Sequence, residues 1–449
     1  MMTRRGVLAG AGSLLALRRA RAVEPLDVVV IGAGAAGLAA AKQVRAAGLR
    51  CQVIEARSRI GGRVHTDASL GAPFDAGAQY IHWGERNPWR PLAEELGARL
   101  IADEPGAPPR VYVDGRLLAD EQRARRRAAF GRIWPLLQVG DGPDRSFADL
   151  LGEPEPEVRA AAAAITRLSL GEEPERVSLR DYEQLWSGDD YLLPDGYGAL
   201  VARYGADVPV SLDTPAQVVD WSGAGVAVET ARGTVRARAA IVTVSVGVLR
   251  AGSPRFVPSL PPATRDALDG LSMGAYTKVA LALDPDRSRD LPADDLFEII
   301  GGMMLSYEFR PFGRDLAVVY LGGDEARALC EAGERAAVAL VAERLGVLLG
   351  AGARAIIRDG RLAAWWTDPY SRGSYSIAAP GHAGARVALR TPIGERVFLA
   401  GEASAGPGAM TAGGATLEGR RAAEAAIRQL AGQNPRPGPA PMPLLPSPR

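Results

Sequence analysis

Leu26-Asp27-Val28-Val29-Val30-Ile31-Gly32-Ala33-Gly34-Ala35-Ala36-Gly37 opens the interpretable part of the chain, and an Ala-rich helical pattern follows it. The apolar run predicts a strand, the glycines a tight turn and the alanines a helix. Gly32 lets the chain turn sharply, Gly34 leaves no Cβ in the way of a pyrophosphate, and Gly37 lets the helix start lie close to the strand. Free N–H groups at that helix start, around Ala36, face the phosphates, where the dipole favours negative charge. A second short strand, Cys51-Gln52-Val53-Ile54, ends at Glu55, whose carboxylate is placed to accept both hydroxyls of an adenosine ribose. Together these residues predict a Rossmann-type dinucleotide site in an α/β chain.

NAD and FAD share that fingerprint, so the residues after it decide. Glu55-Ala56-Arg57-Ser58-Arg59-Ile60-Gly61-Gly62-Arg63 follows directly, and then Phe74-Asp75-Ala76-Gly77-Ala78-Gln79-Tyr80-Ile81-His82. The paired glycines Gly61 and Gly62 allow close backbone approach, and Arg63 or Arg57 can neutralise a pyrophosphate. Here the sequence resembles the flavin amine oxidase family, which includes monoamine oxidases, polyamine and spermine oxidases, and lysine-specific histone demethylases. In that family the second glycine cluster accompanies FAD, which extends the expected cofactor contacts to Ala56, Gly77, Ala78, Gln79 and Tyr80.

A chain of 449 residues is too long for one ordinary core. Two interleaved domains are expected, a Rossmann-type FAD-binding domain (23–85, 205–270, 385–432) and an α+β substrate domain of mixed sheet plus helices (86–204, 271–384). Lys+Arg 53 against Asp+Glu 52 gives no electrostatic case for nucleic acid. The two cysteines, Cys51 and Cys330, make no disulfide framework, and three histidines make a His-based metal centre an unlikely expectation. The N-terminus (1–22) reads as an export signal: a twin arginine at Arg4-Arg5, an apolar run to Leu17 too short to span a bilayer, and a small-residue cleavage site at Ala20-Arg21-Ala22. A disordered basic leader is the alternative. The resemblance favours twin-arginine export to the periplasm or beyond, because such substrates cross folded and a flavoprotein takes up FAD first.

Ile81-His82 with Asn87-Pro88 is similar to the animal polyamine and spermine oxidases, where the matching histidine lies near the substrate. His82 is thus a candidate for orienting an amine, or else a histidine satisfied by a backbone carbonyl. Ala119 to Leu137 and Glu155 to Leu168 read as helices over the substrate cavity. Asp181, Glu183, Asp189, Asp190 and Asp195, set among Tyr182, Trp186 and Tyr191, are either an attractive entrance for a cationic amine or a solvated face. Three short strands over 218–235 are followed by a separate buried strand at 239–244, and the resemblance brings backbone from Ala216 to Val218 to the adenine.

Lys278 interrupts an apolar strand, so its ammonium needs a specific partner or snorkels to the surface. In the family a lysine at this place reaches the flavin N5 through a water. A single long helix is expected over 324–349. Trp365-Trp366-Thr367-Asp368-Pro369-Tyr370-Ser371-Arg372-Gly373-Ser374-Tyr375 then matches the family closely. The resemblance implies that Trp365 flanks the isoalloxazine and Tyr375 forms one wall of an aromatic cage; core aromatics are the plain alternative. Monoamine oxidases carry a flavin-bonded cysteine where this chain has Ser374, which implies noncovalent FAD. Gly401 and Glu402 match the segment that binds the ribityl or pyrophosphate side, and Ala412 starts a helix facing the pyrimidine. Thr411 stands where monoamine oxidases have the second cage tyrosine, so the cage is half-open. The tail, 433–449, is rich in Pro and reads as disordered.

The reading that results is an FAD-dependent amine oxidase acting on a small-molecule amine, with dioxygen or another electron acceptor, no nucleic acid and no membrane span. The alternatives are an L-amino acid oxidase using Arg310 or Arg372 for the carboxylate, a dehydrogenase passing electrons to a periplasmic carrier, and a noncatalytic FAD-binding protein.

Overall fold

The computed structural model describes residues 26–104, 106, 108–137, 142–151, 155–292 and 295–433; the expected leader and the tail beyond Gln433 lie outside them. Two large sheets organise the chain. At the centre of the first, Leu26–Ile31 pairs in parallel with Cys51–Ile54 on one side and Gly233–Val242 on the other. The helix Ala35–Ala46 follows the glycine turn as its sequence pattern predicts. Gly32 has φ +104°, and a Cβ on Gly37 would lie 1.9 Å from the Gly32 carbonyl oxygen, so backbone geometry alone requires both glycines.

The segments read as two strands over 232–244 are one strand, Gly233–Val242. Its first half is largely exposed up to Ala237 and pairs antiparallel with Val226–Thr230. Burial is continuous from Ala239, where the same strand runs parallel to Leu26–Ile31 and Val397–Leu399. The last helix, Ala412–Gln433, lies along Ala35–Ala46, with Ala36, Ala40, Ala422, Ala423 and Ala426 in one buried cluster.

The second sheet has seven strands, in the order Ile357–Leu362, Tyr276–Leu283, Leu316–Gly322, Met303–Phe309, Leu296–Ile300, Arg110–Val113 and Arg116–Leu117. Its faces differ because side chains alternate along a strand. Val279, Leu281, Val319 and Leu321 pack on one side with Ala326, Leu329, Val341 and Leu345 of the helices. Ala280, Val318 and Tyr320 turn the other way, toward Phe74, Ala76 and Trp365. The single helix expected over 324–349 is instead two, Asp324–Ala332 and Glu334–Leu349, broken where Gly333 takes φ +88°. Asp120–Ile133 and Pro156–Ile165 are helical as read, and the latter runs on into a wide π turn at Thr166–Leu170. Among the described residues no helix is long and apolar enough to cross a membrane.

Candidate active site

A cavity of about 850 Å³ runs from the glycine turn to the second sheet. Gly32, Gly34, Ala36, Glu55, Ala56, Arg57, Gly61, Gly62 and Arg63 line its first end. Gly34 and Gly61 face each other across an isolated bridge, and a Cβ on Gly34 would meet nothing closer than Gly62 Cα at 3.9 Å. A pyrophosphate fits between two backbone strips of this kind. Gly37 packs against the turn itself. Glu55 is buried, and its two carboxylate oxygens accept from the backbone N–H groups of Ala33 (2.7 Å) and Arg57 (2.8 Å). Each oxygen keeps a second lone pair for a ribose hydroxyl.

Arg57 is engaged elsewhere than the sequence suggests: its guanidinium donates two bonds of 2.7 Å to Asp368 and one of 2.7 Å to Ser371. Arg63 donates to Glu402 and to the Ser374 carbonyl, both at 2.9 Å. Both arginines line the cavity with their charge already matched by a carboxylate. Near Glu55 the wall also includes Thr214, Pro215 and Ala216. Val218 is off it, buried in the sheet opposite Glu229.

At the far end Lys278, Trp365 and Tyr375 all reach the same cavity. Lys278 is 5 % exposed and donates to the Asp75 carbonyl (2.6 Å), the Gly77 carbonyl (2.9 Å) and Gln79 Oε1 (2.9 Å). These three acceptors use all three N–H groups of an ammonium. Burial lowers its pKa to about 8, against the opposing pull of Asp75 and Glu308. The neutral amine, with two N–H groups and a lone pair, is therefore accessible near pH 8 and can accept a hydrogen bond from a water. Trp365 Nε1 donates to the Ala76 carbonyl at 2.8 Å, which fixes its ring. Gly77, Ala78, Gln79 and Tyr80 line the cavity beside it.

Tyr375 donates to the carbonyl of Ser169 at 3.1 Å, a group of the π turn. Tyr276, which the sequence reading missed, lies 6.3 Å from Tyr375 between ring centroids, and Tyr320 lies 6.2 Å beyond Tyr276. The available signal was the i, i+2 spacing of Tyr276 and Lys278 on one strand face. Ser374 Oγ donates to the Gly274 carbonyl at 2.8 Å and accepts from Tyr276 N–H at 3.0 Å, so it packs into backbone and brings no thiol to the site.

Thr411 lines the cavity but works as a helix cap: its hydroxyl accepts from Gly414 N–H at 2.9 Å and donates to the Gly408 carbonyl at 2.8 Å. Met410, held at φ +67°, joins the apolar cluster of Tyr375 and is the bulkier neighbour there. Gly401 and Ala412 line the cavity wall. Glu402 is buried; burial pushes its carboxyl up, but Arg63, Arg386 and Ser376 outweigh that and hold it below the usual range.

The cavity mouth carries His82, Trp134, Tyr182, Glu183, Trp186 and Asp190. His82 Nδ1 sits 2.9 Å from Asp190 Oδ2, a carboxylate partner where a backbone carbonyl was the alternative. Of the acidic run only Glu183 and Asp190 face the cavity. Asp181 is buried against Arg386, and Tyr191 lies under Arg90. Among the described residues no group of three or more His, Cys, Asp or Glu is arranged to hold a metal ion.

Residues 35–185 and 146–427 match the model of the flavin containing amine oxidoreductases. The chain belongs to that family. It is 27 % identical to polyamine oxidase 4 of Oryza sativa subsp. japonica over 93 % of this chain and 92 % of that one. Lysine-specific histone demethylase 2 of Homo sapiens is 28 % identical over 88 % of this chain, which spans 53 % of the demethylase. Two solved structures share the fold: putrescine oxidase bound to putrescine, at 21 % identity and TM-score 0.74, and cyclohexylamine oxidase from Brevibacterium oxydans, at 22 % and 0.73. Each comparison covers 90 % of this chain and 99 % of the solved chain. The protein is thus an amine-oxidising flavoenzyme whose cofactor is FAD, and the glycine slot, Glu55 and the aromatic end of the cavity fit that cofactor without a covalent bond at Ser374.

Proposed function

We propose that the enzyme oxidises an amine carrying a second positive charge, of the polyamine type, to an imine that water splits to an aldehyde and a shorter amine. The observation that carries this is the convergence of Lys278, Trp365 and Tyr375 on one cavity that Glu183 and Asp190 also line. Bound FAD supplies the two-electron acceptor for the hydride on the carbon next to nitrogen, and dioxygen then takes the electrons and gives hydrogen peroxide. The chain supplies the rest. Trp365 and Tyr375 are walls that exclude water and guide the amine. Lys278 holds a water at the flavin edge. The carboxylates at the mouth attract the distal ammonium.

An ordinary amine has pKa ~10 and must lose its proton before its lone pair can drive hydride out. The apolar aromatic end favours that neutral form. The amino acid oxidase reading finds less support: Arg310 and Arg372 are off the wall, and the cavity's cations Arg57, Arg63 and Lys278 have partners within the protein. Anaerobic mixing with spermine, spermidine, putrescine, tyramine and the amino acids tests the assignment. Polyamines are expected to bleach the flavin fastest. Bleaching by an amino acid alone would replace the reading, and bleaching by none would favour a noncatalytic FAD protein. Peroxide yield against dye reduction separates oxidase from dehydrogenase. The twin-arginine leader supports export, which cell fractionation of the full chain tests.

A further inference from the structure

Behind Lys278 lies a polar row that the proposed reaction does not use. Lys278 and Tyr320 are direct partners on neighbouring antiparallel strands, and Glu308 sits one step diagonally away on the next strand. Alternation puts all three on the face that looks into the site. Gln79 Oε1 accepts from Lys278 Nζ at 2.9 Å and lies 3.1 Å from the Tyr320 hydroxyl, which also contacts Glu308 Oε2. Gln79 and Tyr320 form the partition between the main cavity and a small one of about 20 Å³ lined by Glu308, Pro311, Phe312 and Arg314. Glu308 is half-buried and Phe312 is exposed, so this side meets solvent away from the amine mouth.

We propose that Glu308, acting through Tyr320 and Gln79, is a second counter-charge of Lys278 beside Asp75 and its positioning residue, helping to fix where the ammonium sits and how readily it gives up its proton. Tyr320 has one hydroxyl hydrogen for two acceptors. An ionised Glu308 takes that hydrogen in a charge-assisted bond and leaves the Gln79 oxygen to Lys278. A protonated Glu308 donates to Tyr320 instead, turns the hydroxyl onto Gln79 and makes Lys278 share its acceptor. The negative charge of Glu308 also favours the ammonium directly, opposing burial. Asp75 also acts on the lysine: it offers its backbone carbonyl, and its carboxylate, which accepts from Thr66 Oγ1 and Tyr197 N–H, favours the ammonium as well. Tyr276 is half-buried with its pKa raised by desolvation, and Arg314 donates to the Pro73 carbonyl.

The chain offers a direct readout because it contains two lysines, Lys42 and Lys278. Side-chain 13C-labelled lysine in the substrate-free holoenzyme gives two resonances, and Lys278→Met assigns them. Lys278 is expected to titrate with a midpoint of about 8. Glu308→Gln lowers that midpoint by about one pH unit, as loss of a neighbouring opposite charge does. Glu308→Asp restores part of the drop, Tyr320→Phe gives a smaller drop, and the double variant Glu308→Gln with Tyr320→Phe falls no further than Glu308→Gln. For a monoamine substrate, any limb of the kcat/KM profile that Lys278→Met abolishes moves down by the same amount. An unmoved lysine midpoint in Glu308→Gln and Tyr320→Phe overturns the proposal; if KM then rises for diamines alone, Glu308 instead reads the far nitrogen of the substrate. The proposal rests on Lys278 serving the flavin edge, yet its midpoint is read without turnover. A midpoint that moves in an enzyme no amine can reduce upholds the counter-charge and defeats the oxidase assignment.

Discussion

Arg386 and Asp181 form a two-pronged buried ion pair, Nε to Oδ1 and Nη2 to Oδ2 both at 2.8 Å, with Arg386 only 1 % exposed. The same guanidinium donates to Ser376 Oγ at 2.6 Å, and Ser376 Oγ donates to Glu402 at 2.6 Å. Ser374 on the other side of Tyr375 is held by Arg63, so Tyr375 is clamped from both neighbours. Removing Arg386 leaves Asp181 charged and unpartnered. Arg386→Met is expected to cost about 3–5 kcal/mol in urea unfolding, and Arg386→Met with Asp181→Leu to recover much of it. A loss under 1 kcal/mol would show that water reaches the pair.

Lys278→Met keeps the bulk and removes the nitrogen. Flavin reduction or reoxidation in stopped flow is expected to slow by about 10²-fold or more, on the scale of a lost proton-handling group, with FAD still bound by its absorbance spectrum. Unchanged rates would remove the lysine from the chemistry.

The pH dependence has a definite sign. Rate requires a neutral substrate amine, so kcat/KM is expected to rise with pH toward the amine's own ionisation, and the neutral form of Lys278 adds a rise through about 8. A profile flat from about pH 6 to 10 with a slow chemical step would contradict both.

Ser374 gives a simple test of cofactor attachment. Acid precipitation is expected to leave free yellow FAD in the supernatant, and colour retained in the pellet would reveal a bond elsewhere.

At the mouth, Asp190→Asn is expected to raise KM for a polyamine by about three- to tenfold, the scale of a partly exposed charge pair near 1 kcal/mol, while a monoamine of equal length is affected less. Equal effects on both would assign Asp190 to holding His82 alone.

The sequence made the dinucleotide end legible because its contacts are mostly local: Gly37 packs on the Gly32 carbonyl and Glu55 accepts from Ala33 and Arg57 within residues 32–57, although Gly32 also lies against Thr243. Lys278 was legible as a charge in an apolar strand. Its partners were not, since Tyr320 and Glu308 meet it only through strand pairing and Gln79 only through a side-chain bond between distant parts of the chain. Thr411 shows the limit of matching by position, because a hydroxyl one residue before a helix is drawn to the free N–H groups there. Asp181 shows the limit of reading charge runs: two residues apart on one helix, about half a turn, Asp181 is turned inward to Arg386 while Glu183 faces the cavity.

The strand Gly233–Val242 takes Val397–Leu399 as its neighbour, and the helix after that covers Ala35–Ala46. The first and last of the described elements therefore complete one layer together. A ribosome-bound chain that has reached residue 390 still lacks the strand and helix that close its nucleotide-binding half, so this half matures only after Val397–Leu399 and Ala412–Gln433 have been made.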